Sequence, residues 1–374
     1  MSPLNFPRLR SETVAIALGS FSALALSAAP ASADQGRGFD RDRGQVFTET
    51  NGALGNSVLA FDRAADGSLI QTATVATGGA GTGGGLGSQG PVAVADGVVY
   101  AVNAGSGDVT VLRGGGRGGL RVVDREAAGV TPVSITVRGS LAFVLDAAGT
   151  GQVLGYRVAP DGDLWPIPGS SRPLSPTASG AAEVSLSPDG RRLVVTEKGT
   201  NAIDTYRVGF GGRLDGPVVN TSSGAVPFGF AFDPFGRLIV SEAGSGTASS
   251  YNLGFNGVLT PISASVPALQ GAPCWVAITP NGRYAYTGNG GTSNSITGFA
   301  ISSTGALTKL RADGISGVSP RANEVSISPD GRSLYNVSPP TGSITAFAIG
   351  RDGALTALPT TAGLPIGIVG LASN

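Results

Sequence analysis

Short runs in which apolar and polar residues alternate follow one another along most of the chain. Residues 183–193 read EVSLSPDGRRL and residues 324–334 read EVSISPDGRSL, so nearly the same unit occurs twice. Alternation that leads into Asp-Gly or Asn-Gly and out again predicts a β-hairpin. The Gly supplies the positive φ that such a turn needs, and Pro-Asp presets the bend. We therefore interpret the SPDGR segments as structural turns and not as active-site loops.

A second kind of hairpin gives the chain its period. At seven places an aromatic residue or Leu stands eight residues before another Leu, with a Gly-containing turn between them. The seven anchors are Phe61, Leu112, Tyr156, Tyr206, Tyr251, Phe299 and Phe347. Their spacing runs from 44 residues (112 to 156) to 51 residues (61 to 112). Since an alternating hairpin precedes six of them, each repeat contains four strands, which we label A, B, C and D.

The two ends of the chain complete the count of strands. Residues 45–51, QVFTETN, have the pattern of a B strand with no A strand before it. Residues 365–373, PIGIVGLAS, have the pattern of an A strand with no B strand after it. Pairing these ends closes a ring and limits exposed edges. The sequence therefore predicts an all-β, seven-bladed β-propeller over 45–374, with four-stranded antiparallel blades and the last blade closed by both termini. Two stacked β domains would not explain two matching incomplete repeats.

Composition narrows the chemistry that the chain can carry. Among 374 residues there are 60 Gly and 24 Pro, and only 13% are charged, which fits many short strands and turns. The formal net charge is zero, so nucleic acid is not an expected partner. The absence of His excludes Ser-His-Asp and Cys-His systems and His-based zinc sites. The single cysteine, Cys274, excludes an internal disulfide. No cofactor or metal is predicted, because no DxDxDG calcium loop occurs.

The N-terminus has the pattern of a secretory signal peptide. Arg8 and Arg10 precede an apolar stretch at 14–28, and the small residues of 31–33 form a cleavage site. We predict cleavage after Ala33 and an exported protein, in the periplasm or the medium, with a disordered polar leader at 34–44. An N-terminal membrane anchor is the alternative, although the apolar stretch is short for a span. No later segment reaches transmembrane length, and we expect a monomer.

Chain direction within a blade assigns the loops to two faces. The A–B and C–D turns lie on one face, and the B–C loops and D–A crossovers lie on the other. The irregular sequence is on the second face, where we expect a small-molecule ligand. The glycine-rich stretch 76–90 is interpreted as a long D–A loop on this face. It is not a phosphate-binding loop, because no Lys-Ser/Thr and no helix follow it.

Two carboxylates stand at the entrances of innermost strands on that second face. Glu183 and Glu324 are three blades apart, which places them roughly 150° from each other around the channel mouth. A pair of this kind could divide acid and base roles, so both are candidate catalytic residues. The candidate substrate-binding residues are Arg321, Lys198, Trp275 and Asn103. The alternative interpretation is that each Glu accepts backbone N–H groups or pairs with a neighbouring Arg and so locks adjacent blades.

Two of the repeats resemble a known family. AAEVSLSPDGRRLVVTEKGTNAIDTYRV (181–208) and ANEVSISPDGRSLYNVSPPTGSITAF (322–347) resemble the repeat of the lactonase family of seven-bladed propellers. That family includes propeller-type 6-phosphogluconolactonases and carboxymuconate-lactonizing enzymes. The segments 227–251 and 272–299 resemble those of exported bacterial members described as 3-carboxymuconate cyclase-like.

The resemblance implies a fold and a class of site. The family site lies at the channel mouth and uses Glu with Arg, and in lactonizing members a His. Glu183 and Glu324 match the Glu position, whereas the Arg-His entrance is replaced by VPFGF (226–230) and APCWV (272–276). Two functions therefore stay open. One is an enzyme that acts on a lactone or cyclic carboxylate, and the other is a non-catalytic exported binding or scaffold propeller.

Overall fold

The computed structural model describes residues 44–114, 119–175 and 178–374. The predicted signal peptide at 1–33 lies outside the described residues, and so does the predicted leader except for Gly44. Within the described ranges, no helix combines the length and the apolar character needed to cross a bilayer. Helical structure in the same ranges consists of single 3-10 turns at Phe210–Gly212 and Pro339–Thr341.

Seven antiparallel sheets form the fold, and their strands are numbered in chain order. Blade 1 contains β1 (Gln45–Glu49), β2 (Ser57–Arg63), β3 (Leu69–Ala76) and β30 (Val369–Ser373). Blade 2 contains β4 (Val92–Ala95), β5 (Val98–Asn103), β6 (Asp108–Gly114) and β7 (Leu120–Ala127). Blade 3 contains β8 (Pro132–Arg138), β9 (Leu141–Asp146), β10 (Gln152–Val158), β11 (Leu164–Pro166) and β12 (Arg172–Pro173).

The remaining four blades repeat this order. Blade 4 contains β13 (Ala181–Leu186), β14 (Arg192–Glu197), β15 (Ala202–Val208) and β16 (Leu214–Thr221). Blade 5 contains β17 (Pro227–Phe232), β18 (Leu238–Glu242), β19 (Thr247–Leu253) and β20 (Leu259–Pro267). Blade 6 contains β21 (Pro273–Ile278), β22 (Tyr284–Asn289), β23 (Ser295–Ile301), β24 (Leu307–Lys309) and β25 (Gly317–Val318). Blade 7 contains β26 (Val325–Ile327), β27 (Ser333–Ser338), β28 (Ser343–Ile349) and β29 (Leu355–Ala357). The predicted propeller of four-stranded blades is confirmed, and in blades 3 and 6 the fourth strand is divided into two segments that both pair with the third strand.

The two ends of the chain pair as the sequence predicts. β30 is the inner strand of blade 1 and lies antiparallel to β1, with Val46 opposite Ser373. Asn374 donates its backbone N–H to Gln45 O at 3.0 Å and accepts the Gln45 N–H on Oδ1 at 2.8 Å. Thr48 Oγ1 adds a buried bond to Val369 O at 2.9 Å. Closure thus depends on main-chain pairing between residues more than 300 positions apart.

Apolar side chains fill the spaces between neighbouring blades. The cluster that includes Phe143, Leu193 and Tyr206 joins blades 3 and 4. Tyrosines of B strands also bind the C–D turn of the next blade, as Tyr286 does by donating its hydroxyl to Gly353 O at 2.7 Å. Gly353 has φ +81, and a Cβ there would lie 2.6 Å from the Tyr284 ring. The glycine that bends this turn is therefore also required for close contact between blades.

Candidate functional site

The glycine-rich D–A loop between β3 and β4 enters the centre of the ring of blades. We call residues 87–90 the plug segment. Ser88 is 5% exposed and Gln89 is 8% exposed, although residues 82–85 before them are exposed. Hydrogen bonds join the plug segment to the inner strands of blades 3 to 6 and to the residue that precedes the inner strand of blade 7. Because inner strands surround the propeller axis, a segment bonded to five blades lies on that axis.

Gln89 makes the most extensive contacts of the plug segment. Its side-chain Nε2 donates to Val276 O at 2.9 Å, and Val276 N–H donates to Gln89 Oε1 at 2.8 Å. Its backbone N–H donates to Ala182 O at 3.0 Å, and Nε2 also reaches Phe230 O at 3.4 Å. A Cβ at Gly229 would lie 2.1 Å from Gln89 Oε1, so only glycine leaves room for this side chain. Gln89 therefore links the inner strands of blades 4, 5 and 6 through its backbone N–H and its side-chain amide.

Ser88 and Gly90 hold the plug segment on either side of Gln89. Ser88 Oγ donates to Val133 O at 2.8 Å, and Ser88 O accepts from Trp275 Nε1 at 2.9 Å. Gly90 O accepts from Ile135 N at 2.8 Å. Buried polar groups of blades 3 and 6 are thus paired with side-chain or main-chain groups of the plug segment, as burial requires.

Glu324 accepts a hydrogen bond from the plug segment itself. It immediately precedes β26 and is 3% exposed, and its Oε1 accepts the Gly90 N–H at 2.9 Å. Burial raises the pKa of Glu324 to about 8, against the lowering effect of the Gly90 and Leu371 backbone N–H groups. A carboxyl with this pKa is largely protonated at neutral pH, so it can donate a proton more readily than it can take one.

Glu183 is the third residue of β13 and bonds to the neighbouring blade. Its Oε2 accepts the Phe230 N–H of β17 at 2.6 Å, and the side chain is buried. Burial raises the pKa of Glu183 well above its usual range, and the charge of Glu324 raises that pKa further. Both carboxyls lie near the centre of the ring, because Glu324 bonds to Gly90 of the plug segment and Glu183 bonds to Phe230, whose carbonyl contacts Gln89. Each accepts a backbone N–H of another blade or of the plug segment, which is the locking arrangement that the sequence left open.

A third carboxyl, Glu49, belongs to the same group. It ends β1, is fully buried, and accepts from Asn56 Nδ2 at 2.9 Å, while its Oε1 has no hydrogen-bond partner among the described residues. Burial raises the pKa of Glu49 well above its usual range, and the charge of Glu324 adds to that rise. Its sequence signal placed Glu49 on the same face but did not single it out as a site residue, because Glu197 and Glu242 also stand at the end of a B strand.

Lys198 and Trp275 both bond to carbonyl groups of the plug segment. Lys198 Nζ donates to Gly87 O and lies 4.8 Å from the centre of the Phe228 ring. Trp275 meets the same ring edge-on, with centroids 5.3 Å apart. Burial lowers the pKa of Lys198. In this arrangement the cation binds a backbone carbonyl and an aromatic face.

No hydrogen bond joins Arg321 or Asn103 to the plug segment among the described residues, although Asn56 donates to both Asn103 and Glu49. Arg321 is exposed, has φ +48, and forms no ion pair with any described residue. Asn103 is fully buried, and its amide is bonded to four side chains of blades 1 and 2, which are Asn56, Thr77, Asp108 and Thr110. Their roles as ligand contacts stay predictions. Among the described residues, no group of three His, Cys, Asp or Glu side chains could hold a metal ion.

Comparison with known proteins places the fold in a family. A family model described as lactonase, 7-bladed β-propeller, matches residues 168–277 and 262–368, which together span more than half of the 374 residues. No curated protein matches the chain.

Several solved structures share the fold. A putative 6-phosphogluconolactonase from Bacteroides fragilis is 20% identical, with a TM-score of 0.70 over 89% of this chain and 98% of that one. A periplasmic gluconolactonase from Pseudomonas aeruginosa is 22% identical, with a TM-score of 0.67 over 86% of this chain and 96% of that one. At these identities the structural likeness concerns the fold alone. The family match and the seven-bladed architecture together establish that the chain belongs to the lactonase family of seven-bladed β-propellers.

Proposed function

We propose that this chain is an exported binding or scaffold propeller that does not turn over lactones efficiently. The main support is the hydrogen bond that Gly90 N–H donates to Glu324. Because of this bond, a candidate catalytic carboxyl already has a partner in the plug segment. A general base must be free to reach the proton that it abstracts. Glu324 is buried, bonded and largely protonated at neutral pH, so it is poorly suited to that task.

The proposed role of the carboxyls is structural. Glu183 joins blade 4 to blade 5 through Phe230 N–H, and Glu324 joins blade 7 to the plug segment. These buried hydrogen bonds fix the relative positions of the blades and the plug segment, which a rigid binding scaffold requires. Export is proposed from the signal-peptide pattern of residues 1–33. Sequencing the N-terminus of the protein recovered outside the cytoplasm tests this part, and Asp34 is the expected first residue.

A second candidate function is hydrolysis or formation of a lactone or cyclic carboxylate. Family membership favours it, as do the gluconolactonase names of structurally similar proteins and the electrostatic coupling of Glu183 to Glu324. In this case the plug segment would have to move away from the ring centre. Protonated Glu324 would then act as a general acid, and Lys198 or Arg321 would hold the substrate carboxylate.

Assays on a lactone panel separate the two functions. The tested proteins are the wild type, the Glu183→Gln/Glu324→Gln double variant, and Gln89→Ala, which weakens the plug segment. Glutamine keeps an acceptor oxygen for the Phe230 and Gly90 N–H groups but removes the titratable proton. The binding or scaffold function predicts no turnover above background in any of the three. Turnover in the wild type that the double variant abolishes would contradict it and support the enzyme.

A further inference from the structure

Three phenylalanine side chains are exposed to solvent on the face formed by the A–B and C–D turns. Phe210 is 101% exposed, Phe255 is 97% exposed and Phe235 is 76% exposed. We call these three residues the aromatic turn face. They belong to blades 4 and 5 and lie at the end of the propeller opposite the B–C and D–A loops. Exposed aromatic groups of this size mark interaction surfaces in soluble proteins.

The repeats of the propeller show that the turns themselves do not need these rings. At the C–D position of Phe210 and Phe255, blades 1, 3, 6 and 7 carry Ala65, Pro160, Ser303 and Arg351. At the A–B position of Phe235, blades 4, 6 and 7 carry Asp189, Asn281 and Asp330. Backbone bonds close the aromatic turns, such as Gly209 N to Arg213 O at 2.7 Å and Gly254 N to Val258 O at 2.9 Å. The rings therefore serve something outside the fold.

Arginines surround the same three tips. A groove of about 660 Å³ between the rings is bordered by Arg191, Arg192 and Arg207. A second groove of about 620 Å³, on the other side of Phe210, is bordered by Arg157 and Arg213. Of these five, Arg207 pairs with Asp215 at 2.9 Å, and the other four form no ion pair with any described residue.

The carboxylates of this face offset only part of that charge. Asp189 accepts from Ser187 Oγ (2.6 Å) and Arg191 N (3.0 Å) and also attracts the Arg191 charge, and Asp215 pairs with Arg207. Asp233 is buried against Arg237 at 2.6 Å. The formal net charge of the whole chain is zero, so the excess of arginine here is local. An anionic partner is therefore favoured.

We propose that the aromatic turn face docks this protein on the surface of a bilayer that contains anionic phospholipid. Phe210, Phe235 and Phe255 enter the boundary between headgroups and acyl chains. The arginines around them bind the phosphates in the two grooves. Docking combines burial of the rings with attraction to anionic lipid, the two contributions that hold proteins in a membrane interface. This docking is independent of the proposed function, because it uses the end of the propeller opposite the plug segment and the carboxyls.

The geometry favours a bilayer over a soluble protein partner. All A–B and C–D turns of a propeller end at one face, so the three rings lie at the same end of the molecule and can meet one flat surface. Hot-spot aromatics of protein interfaces sit in well-packed surroundings. Phe210 and Phe255 instead lie on Gly-flanked tips, GFGG (209–212) and GFNG (254–257). Arg192 donates to Phe255 O, but neither ring contacts another described aromatic residue. Unsupported rings suit insertion into a fluid apolar layer.

Flotation with lipid vesicles tests this proposal. The mature protein is mixed with vesicles of phosphatidylcholine alone or of equal parts phosphatidylcholine and phosphatidylglycerol. We expect binding to the anionic vesicles, weaker in high salt because the charge contribution is screened. Phe210→Ser/Phe255→Ser should reduce binding at least tenfold. Arg191→Gln/Arg213→Ser should reduce it about 30-fold and weaken the salt dependence. The Phe and Arg213 positions are exposed and should tolerate Ser, which blades 6 and 1 carry at equivalent sites (Ser303 and Ser68).

Matched controls keep the test specific to this face. Arg351→Ser changes the equivalent tip of blade 7 and should leave vesicle binding within twofold of the wild type. Phe255→Trp should show a blue-shifted emission with anionic vesicles, whereas Leu54→Trp, exposed in a B–C loop at the other end, should not. No binding to anionic vesicles, or equal binding by the double Phe variant, would overturn the proposal. Arginine-dependent binding of soluble polyglutamate without vesicle binding would overturn it in favour of an acidic protein partner.

Discussion

Gln89 and Val276 exchange two hydrogen bonds at the centre of the propeller, although 187 residues separate them in the sequence. The side-chain amide of Gln89 pairs with both main-chain groups of Val276, as a neighbouring strand would. Through this pair the D–A loop between blades 1 and 2 is attached to blade 6. The centre of the ring is therefore filled by the chain's own backbone and one amide.

Replacing Gln89 by alanine should destabilise the propeller. Gln89→Ala leaves the N–H and carbonyl of Val276 without partners in a buried site, which we expect to lower the free energy of unfolding by about 2 to 4 kcal/mol. Urea denaturation at pH 7 measures the effect. Gln71→Ala is the control, because Gln71 is exposed and bonds only to Thr74, so its change should stay within about 0.5 kcal/mol. Equal stability of the two variants would show that the plug segment is not held by Gln89.

Stability should fall as the pH rises from about 4.5 to about 8. Burial raises the pKa of Glu324 to about 8 in the folded protein, whereas the unfolded chain releases this proton near its ordinary pKa of 4.5. Between these values the folded state binds more protons than the unfolded state, so each increase in pH favours unfolding. Melting temperatures at pH 5 and pH 8.5 measure the decrease, which Glu324→Gln should reduce. A wild-type melting temperature that rises over this interval would contradict the assignment.

Replacing Asp204 of blade 4 by serine, the residue at the same position in blade 5, should stabilise the protein. In blade 5, Ser249 Oγ donates to Glu242 Oε1 at 2.6 Å. In blade 4, Asp204 occupies that position, is fully buried, and has no hydrogen-bond partner for either oxygen among the described residues. Burial, together with the charge of Glu197, raises the pKa of Asp204 to about 7.

Asp204→Ser replaces a buried carboxyl with a hydroxyl donor to Glu197. We expect it to stabilise the protein by about 1 to 3 kcal/mol at pH 8 and by less at pH 5, where Asp204 is protonated. Urea denaturation at both pH values provides the measurement. Ser249→Ala removes the corresponding hydroxyl donor of blade 5 and should destabilise the protein at both pH values. The interpretation fails if Asp204→Ser destabilises at pH 8.

Removal of the last strand should prevent stable folding. Deleting residues 369–374 leaves β1 without its inner partner and opens the ring at blade 1. Circular dichroism and thermal unfolding should show loss of the cooperative transition, since an exposed edge replaces a closed ring. Asn374→Ala is the milder control, because it removes only the side-chain acceptor for Gln45 N–H and should lower stability by about 1 kcal/mol. A truncated chain that melts like the wild type would show that β30 does not close the propeller.

The repeat architecture could be predicted from the sequence because its determinants are local. Alternation of apolar and polar residues, turn glycines such as Gly190 and Gly331, and the regular anchors from Phe61 to Phe347 each act within one hairpin. The incomplete first and last repeats then require closure, and the pairing of Val46 with Ser373 follows. The position of Glu183 and Glu324 at the entrances of inner strands follows from the same count of strands.

The partners of those carboxyls depend on tertiary structure. A Glu at the entrance of an inner strand has the same sequence pattern whether it faces solvent, a substrate or a backbone N–H. Residues 87–90 carry no periodic pattern, because two of the four are glycine and their contacts go to main-chain groups, which every residue possesses. The sequence by itself determined the blades, their number and their closure. Only the folded ring brought Gly90 to Glu324 and Phe230 to Glu183, because these contacts join segments 234 and 47 residues apart that meet nowhere but at the propeller axis.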